Sequence, residues 1–353
     1  MAQTSRVINQ NLIAEQLNIS VATVSRALRN RPGIHPRTRS RVMEAAAELG
    51  YRPLRTHLPK KAGGAKYIGV FIRSLHRGVR PLYLDGMAEM AAQLNVSLVL
   101  HHTPLDDADS LVDGARQPPA LRDGTLNGIV LIHRWPVNVV HYLCQRLACV
   151  SIVHQVSGLA MDVVDMDHAQ GMSLLAQHLH GLGHRRIGFF GLSADIGWSK
   201  ARYAGYAQAL CELRLVMDPE LVVCAPARAL EDRNAGWEEE MDRAAGLVKQ
   251  KEVTALMAAS QWSASVLCRG LMARGLEIPA DVSVTGFDDL DPLGIEGMKL
   301  TSTRIAGEAM GAEALRRVLL RIAEPARPTQ KIQFACALME GQSTGAVGKR
   351  TKR

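Results

Sequence analysis

The feature that most constrains the fold is an alternation of short apolar runs with amphipathic segments, which begins at Tyr67 and continues almost to the end of the 353-residue chain. Apolar runs bounded by turn residues predict strands, and the amphipathic segments between them predict helices. The predicted strands are 67–72, 97–100, 128–132, 150–153, 187–190, 221–224, 255–257 and 282–285, and the predicted helices are 82–94, 171–182, 201–213, 238–250, 264–274 and 307–321. Such alternation is typical of βαβ units with buried parallel strands. Because so many units exceed one sheet, we predict an α/β core of two lobes with a cleft between them.

The first part of the chain has a different pattern. Residues 12–17 and 21–28 each carry an apolar stripe at helical spacing, and the polar residues 18–20 separate them. Two short helices joined by a tight turn predict a helix-turn-helix, whose second helix lies in the major groove of DNA. A third helix is predicted from Pro36 to about residue 49, since proline suits a first helical position and Gly50 suits the stop. An ordinary helical hairpin is the alternative, but the short hydroxyl and arginine side chains on the outer face favour contact with DNA.

The positive charge is concentrated in the same part of the chain. The formal net charge is +8, and residues 1–61 alone carry 11 Lys or Arg against 3 Asp or Glu, so the rest of the chain is neutral. A basic module on a neutral body is typical of proteins that bind nucleic acid, because neutralised phosphates release counterions. Prolines, basic residues and a Gly pair in 51–64 mark a linker. We therefore predict a DNA-binding domain at 1–53, a hinge or linker at 54–65, a two-lobed domain at 66–345 and a basic tail at 346–353, the tail being either solvated or in contact with DNA.

Other patterns argue against several classes of protein. The six cysteines form no Cys-x-x-Cys pair and lie mostly in apolar runs, which predicts reduced core residues. The N-terminus lacks a secretory apolar segment and no stretch is long enough to span a bilayer, so we expect a cytoplasmic protein without membrane contact. Histidines 178, 180 and 184 have no acidic or Cys partner in pattern, so no metal site is predicted. Asp165 and Asp167 are interpreted as part of a loop at the lobe crossover, and we predict neither a catalytic group nor a cofactor.

Several blocks, in this order, resemble the LacI/GalR family of bacterial transcription repressors. They are residues 21–28, 38–42, 49–53, 182–188, 202–206, 275–289 and 342–344, so the likeness runs over nearly the whole length of the chain. The resemblance implies a helix-turn-helix head that binds operator DNA, a hinge, and a two-lobed core like that of periplasmic sugar-binding proteins. It also implies a homodimer that senses a small effector.

The family motif assigns roles to the residues of the head. The implied contacts to bases are Val21, Ala22 and Arg26, and the implied contacts to the DNA backbone are Thr23, Ser25, Thr38 and Arg39. The chemistry agrees, because arginine donates two hydrogen bonds to guanine, whereas small apolar side chains touch a thymine methyl or exclude bulk. Arg26 is therefore expected to contribute most of the direct base recognition.

The hinge departs from the family pattern. A family leucine wedges into the minor groove, and the matching position here is Lys60. Leu58 would substitute as the wedge, although Pro59 directly after it disfavours a continuing helix. Two alternatives stay open: Leu58 kinks the operator, or a non-helical linker brings Lys60 and Lys61 to phosphates.

The expected effector site follows the carboxyl ends of the strands, where ligands bind in open parallel sheets. The resemblance implies that Arg202 grips effector oxygens and that Asp288 accepts hydrogen bonds from effector hydroxyls or amines. Further residues placed after strands are Arg73, His154, Ser260, Gln261 and the neighbouring Trp262, where Ser260-Gln261 replaces the usual Asn-Asp and Arg73 replaces a small polar residue. Two guanidiniums, Arg73 and Arg202, in one cleft favour a carboxylate or phosphate. We expect an anionic sugar derivative with Trp198 or Trp262 stacked on its apolar face, the alternative for Arg73 being a surface ion pair.

The sequence thus predicts a homodimeric transcriptional repressor controlled by a small effector. A solute-binding protein for transport is the alternative, since it would share the two-lobed core, but the basic head and the missing secretory segment argue against it. Since no leucine heptad follows Thr344, a coiled-coil tetramer is not expected.

Overall fold

A computed structural model of the chain describes residues 10–28, 34–48, 66–73, 82–156, 159, 161–226, 236–250, 252–288 and 297–347. The chain divides into two units, one within residues 1–62 and one within residues 63–353. The predicted hinge, with Leu58, Lys60 and Lys61, lies outside the described residues, as do Gly50 and the tail from residue 348.

The first unit contains the three predicted helices, α1 (Gln10–Leu17), α2 (Val21–Leu28) and α3 (Pro36–Glu48). Their shared core consists of Ile13, Ala14, Val24, Ala27, Val42 and Ala45, all buried. The turn between the first two helices is tight because Asn18 adopts a left-handed backbone conformation with φ of 50°. Ser20 Oγ then accepts a hydrogen bond from the backbone N–H of Thr23 at 3.1 Å, which satisfies a free amide at the start of α2. The predicted helix-turn-helix is confirmed.

The second unit contains twelve strands and eight further α-helices among the described residues. The strands are β1 (Lys66–Arg73), β2 (Val96–Thr103), β3 (Gly128–Ile132), β4 (Ala148–Ile152), β5 (Asp162–Met166), β6 (Ile187–Leu192), β7 (Val222–Cys224), β8 (Ala255–Ala258), β9 (Ser283–Thr285), β10 (Ser302–Arg304), β11 (Lys331–Phe334) and β12 (Ala337–Met339). The helices are α4 (Leu82–Gln93), α5 (Pro119–Arg122), α6 (Val137–Cys144), α7 (His168–Gly181), α8 (Gly197–Glu212), α9 (Glu238–Lys249), α10 (Gln261–Met272) and α11 (Gly307–Ala323), with 3-10 turns at Leu105–Leu111 and Pro219–Leu221.

The strands form two parallel sheets, one for each lobe. The first lobe has the order β11-β5-β4-β3-β1-β2, and the second has the order β7-β6-β8-β9. A small antiparallel pair, β10 with β12, accompanies them. Helix α7 follows β5 of the first sheet and packs on α8 of the second lobe, so the chain crosses between lobes at the start of α7. The predicted α/β architecture with two lobes of parallel sheet is confirmed.

Helices α4 and α11 cross on the first lobe with almost no space between their backbones. A Cβ atom added to Gly311 would lie 1.9 Å from the backbone oxygen of Tyr83, and one added to Gly86 would lie 1.8 Å from the backbone oxygen of Glu308. Only glycine permits such an approach. The backbone of α11 therefore packs directly against that of α4.

The interpretation of Asp165 and Asp167 as loop residues is wrong for the first of them. Asp165 lies within β5, where it pairs with Gln333 of β11, and Asp167 is the N-cap of α7, where its Oδ1 accepts from the backbone N–H of Gln170 at 3.0 Å. The strand carries buried carboxylates because distant cations compensate them: Arg321 Nη2 lies 2.9 Å from Asp162 Oδ1, and Lys331 Nζ lies 3.2 Å from Asp165 Oδ2. These charges interrupt the apolar run that predicts a strand.

The cysteines are free, as predicted, but not all of them lie in the core. Cys149, Cys268 and Cys336 are buried, whereas Cys211 and Cys224 are exposed. Cys224 ends β7, the outermost strand of its sheet, where the apolar run reaches the surface. No helix in the described part of the chain has the length and apolar character needed to cross a membrane.

Candidate functional site

Helix α2 presents one face to the core of the first unit and the opposite face outward. Val24 and Ala27 are buried, whereas Val21, Ala22 and Arg26 are exposed, with 41% of Val21 accessible. Thr23 is half-buried, and its Oγ1 lies 2.8 Å from Ser20 Oγ. Ser25 lies on the same helix, and its side chain is outside the described set. The exposed face combines the arginine donor Arg26 with small apolar side chains, which suits the edges of bases in a major groove.

The start of α3 adds a second basic surface to this unit. Arg37 and Arg41 are exposed, and Thr38 and Arg39 are half-buried. His35 directly precedes the helix: its Nδ1 accepts from the backbone N–H of Arg37 at 3.3 Å, and its carbonyl oxygen accepts from the backbone N–H of Arg39 at 3.0 Å. Positive side chains beside a helix N-terminus form a suitable place for a phosphate.

The second unit holds a buried arginine, Arg202 of α8, which is 1% exposed. Its Nη1 donates to the carbonyl oxygen of Ala259 at 2.7 Å, and its Nη2 donates to Asp288 Oδ2 at 2.5 Å. Its Nε donates to His168 Nδ1 at 3.3 Å. A buried charge requires such compensation, and here Asp288 supplies the counter-charge.

Two aromatic rings flank the same guanidinium. The Cζ atom of Arg202 lies 4.0 Å from the ring centre of Phe287 and 4.6 Å from that of Trp198. Cation–π contacts of this kind hold a guanidinium plane in one orientation. Trp198 thus lies on Arg202, whereas Trp262 lies against Trp237, with ring centres 5.6 Å apart.

Two acceptor atoms on the segments that pack around this arginine have no hydrogen-bond partner among the described residues. They are Asp288 Oδ1 and Gln261 Oε1, and both atoms are buried. Gln261 is fixed because its backbone N–H donates to the carbonyl oxygen of Phe287 at 2.6 Å, and Ser260 caps its helix α10 with Ser263. A Cβ at Gly286 would lie 2.4 Å from Gln261 Oε1, so the amide lies directly over that glycine. Buried unpaired acceptors favour a ligand that brings hydroxyl or amine donors.

Basic side chains follow the strands of the other lobe. Arg73 ends β1, and its Nη1 donates to the carbonyl oxygen of Arg134 at 3.0 Å. Burial and the charge of Arg134 lower the pKa of Arg73 from its ordinary value. Burial, and again the charge of Arg134, lower the pKa of His154, which follows β4. Arg73, Arg134 and His154 therefore form one group of donors at the carboxyl edge of the six-stranded sheet.

The sequence-predicted effector residues thus fall into separate groups. Arg202, Trp198, Gln261 and Asp288 lie together in the second lobe, Arg73 and His154 lie with Arg134 in the first, and Trp262 packs on Trp237. Sequence reasoning did not identify Arg134, His168 or Phe287. Arg134 and Phe287 follow the predicted strands β3 and β9, and that position is the signal that would have found them, whereas His168 follows β5, which the sequence pattern did not predict.

Two of the three histidines considered for a metal site, His178 of α7 and His184 of the turn after it, have structural partners. His178 Nε2 lies 2.9 Å from Thr344 Oγ1, and His184 bridges Thr254 Oγ1 at 2.9 Å and the carbonyl oxygen of Gly345 at 3.1 Å. Within the ranges that the structure describes, no group of three or more His, Cys, Asp or Glu side chains is placed to hold a metal ion.

Two family models match this sequence. Residues 13–53 match the bacterial regulatory proteins of the lacI family, and residues 176–344 match the periplasmic binding protein-like domain. Among characterised relatives, the HTH-type transcriptional regulator AglR of Rhizobium meliloti (strain 1021) is 28% identical over 98% of this chain and 96% of its own. The HTH-type transcriptional regulator MalR of Streptomyces coelicolor (strain ATCC BAA-471 / A3(2) / M145) is 28% identical over 96% of this chain and 97% of its own.

Solved structures share the fold over both units. A crystal structure of the lac repressor dimer bound to operator and the anti-inducer ONPF matches with a TM-score of 0.64 and 19% identity, covering 97% of this chain and 100% of that one. The transcriptional regulator CelR in complex with cellobiose matches with a TM-score of 0.66 and 22% identity, covering 95% and 99%. At this level of identity the likeness concerns the fold.

Proposed function

This chain belongs to the LacI family of DNA-binding transcriptional regulators, and from that premise we propose that it is a homodimeric repressor whose affinity for its operator is set by an anionic sugar derivative bound between the lobes. Its family is one of regulators and not of enzymes. We expect it to act in the cytoplasm, where its operator lies, on a near-palindromic site that matches the two-fold symmetry of a dimer. The lac repressor, a structural neighbour, was crystallised as a dimer on its operator.

The observation that carries the effector proposal is the division of polar groups between the lobes. In the second lobe, Asp288 already neutralises Arg202, and the atoms left over are the acceptors Asp288 Oδ1 and Gln261 Oε1. In the first lobe, the groups at the strand ends are the donors Arg73, Arg134 and His154. A ligand that satisfies both has hydroxyls at one end and a carboxylate or phosphate at the other, as sugar acids and sugar phosphates do.

A neutral sugar is the competing ligand class, since the neighbour CelR was crystallised with cellobiose. Isothermal titration with matched pairs separates the two classes: D-galactose against D-galacturonate, and D-glucose against D-glucose 6-phosphate. We expect the anionic member of a pair to bind at least about tenfold more tightly, as one charge-assisted contact implies. Arg73→Ala should remove that preference, whereas Arg122→Ala, which removes a solvated arginine paired to Asp123, should not change it. Tight binding of a neutral sugar that Arg73→Ala leaves intact would overturn the proposal.

The operator part of the proposal has its own test. Electrophoretic mobility shifts on palindromic DNA should show affinity that falls steeply with salt, because binding releases counterions from phosphates. The bound anionic sugar should change that affinity. A protein that binds the sugar but no DNA at low salt would instead support a solute-binding role.

A further inference from the structure

Arg202 is held on one side by a residue that does not face the effector. Its Nε donates to Nδ1 of His168, the first residue of α7, at 3.3 Å, and the His168 side chain is 4% exposed. Since a guanidinium is always protonated, this contact requires Nδ1 of His168 to be unprotonated. The ring proton must then reside on Nε2.

Asp165 lies on the Nε2 side of the same ring. Its Oδ1 is 3.2 Å from His168 Nε2, an electrostatic contact without the alignment of a full hydrogen bond, and it also accepts from the backbone N–H of Met166 at 2.9 Å. Its Oδ2 is 3.2 Å from Lys331 Nζ. Burial raises the pKa of Asp165, but His168 and Lys331 outweigh burial and bring that pKa below its ordinary value. At neutral pH the group is therefore a carboxylate that attracts the proton on Nε2.

These residues cross from one lobe to the other. Lys331 and Asp165 belong to β11 and β5 of the six-stranded sheet, while Arg202 belongs to α8 of the second lobe. His168 lies where the chain passes between them, and its ring centre is 5.9 Å from that of Phe287, which also covers Arg202. A continuous row of charged and polar side chains thus joins the outer strand of the first lobe to the arginine of the effector site.

We propose that Asp165 and His168 are positioning residues for Arg202: the carboxylate holds the imidazole in the Nε2–H form, and the free Nδ1 orients the guanidinium for the effector. Without the carboxylate, the other ring form places a donor against the donor Nε–H of Arg202, and the contact is lost. The same logic applies wherever a carboxylate selects the form of a histidine ring. The proposal rests on the proposed effector site, but its first measurement needs no effector.

The first measurement is the protection of the Arg202 Nε–H from solvent exchange by nitrogen-15 NMR of the full chain, with the resonance identified by its loss in Arg202→Lys. His168→Ala and Asp165→Asn should each speed that exchange about tenfold, as the loss of one hydrogen bond implies. His168→Asn should keep it slow, because an amide oxygen replaces Nδ1 as the acceptor. A resonance that stays protected in His168→Ala would overturn the proposal.

The second measurement compares Asp165→Asn in two backgrounds, with D-galacturonate as the probe in calorimetric titration. Beside His168, the substitution should weaken binding about tenfold; in His168→Asn, which has no ring form to select, it should change nothing. An equal loss in both backgrounds would mean that Asp165 serves only the packing of β5, and would refute the proposal. If the probe does not bind the unaltered protein, the anionic effector is refuted, while the exchange measurement still decides the role of His168.

Discussion

The crossing of α4 and α11 gives a sharp prediction about the stability of the first lobe. In Gly311→Ala, the new Cβ would lie 1.9 Å from the backbone oxygen and 2.7 Å from the backbone carbon of Tyr83, whereas Cβ atoms essentially never approach closer than 3.0 Å. The obstacle is backbone, so no side-chain rotation relieves it, and the helices must separate by about 1 Å. Buried neighbours such as Met310 and Leu315 then lose contact on one side.

The magnitude follows from two opposed effects. A gap of this size forfeits a quarter to a half of each affected dispersion contact, and forced separation in a packed core costs about 3 kcal/mol at the upper end of its usual range. Replacing glycine by alanine within a helix stabilises the folded state by up to about 1 kcal/mol, because alanine has the higher helix propensity. We therefore expect Gly311→Ala to lower the free energy of unfolding by about 2 kcal/mol.

Urea unfolding followed by circular dichroism measures this loss against a matched control. Gly246 of α9 is also helical, but a Cβ there would meet nothing within 4 Å, so Gly246→Ala should be neutral or stabilise by up to about 1 kcal/mol. If Gly311→Ala unfolds at the same urea concentration as the control variant, the argument from close approach is refuted.

Three further predictions concern single side chains. Arg26→Ala should relax base preference at one operator position by about 1–3 kcal/mol, whereas Arg41→Ala should weaken all sequences alike and reduce the salt dependence, as anisotropy titrations on operator variants would show. Folding lowers the pKa of Asp165 from its ordinary value of 3.8, so the carboxylate stabilises the fold at pH values above 3.8. This stabilisation disappears as the pH falls through the lowered pKa. Asp165→Asn should therefore flatten the dependence of the urea midpoint on pH below 4. Ser260→Ala should cost about 1 kcal/mol in thermal unfolding, since it removes the N-cap of α10.

The strands that sequence reasoning located best are those whose burial depends only on their own apolar side chains. β3 matches its predicted bounds at both ends, and β8 differs by one residue. β5 was not predicted, because Asp162 and Asp165 interrupt its apolar pattern and become tolerable only through cations that come much later in the chain. The short outer strand β11 was not predicted either, because its residues alternate between exposed and half-buried and form no apolar run.

In the candidate site, too, the residues found from the sequence are those with a local pattern, and those missed depend on distant contacts. Arg202 and Asp288 were identified by their place in a family motif, and the structure brings them to 2.5 Å. His168 carries no local signal, because its importance depends on which atoms approach it from α8 and β5. The role of each predicted effector and DNA contact remains a prediction, which the substitutions above test.

The position of α11 and β11 near the end of the chain has a consequence for synthesis on the ribosome. The four-stranded sheet is contiguous in sequence from β6 to β9, so it can assemble while the rest of the chain is still being made. The six-stranded sheet cannot, since β5 lacks its outer neighbour and α4 lacks its partner helix until α11 and β11 emerge. The lobe that is translated first is thus completed last, and a premature stop before residue 307 would leave unfinished the lobe built largely from the earlier residues.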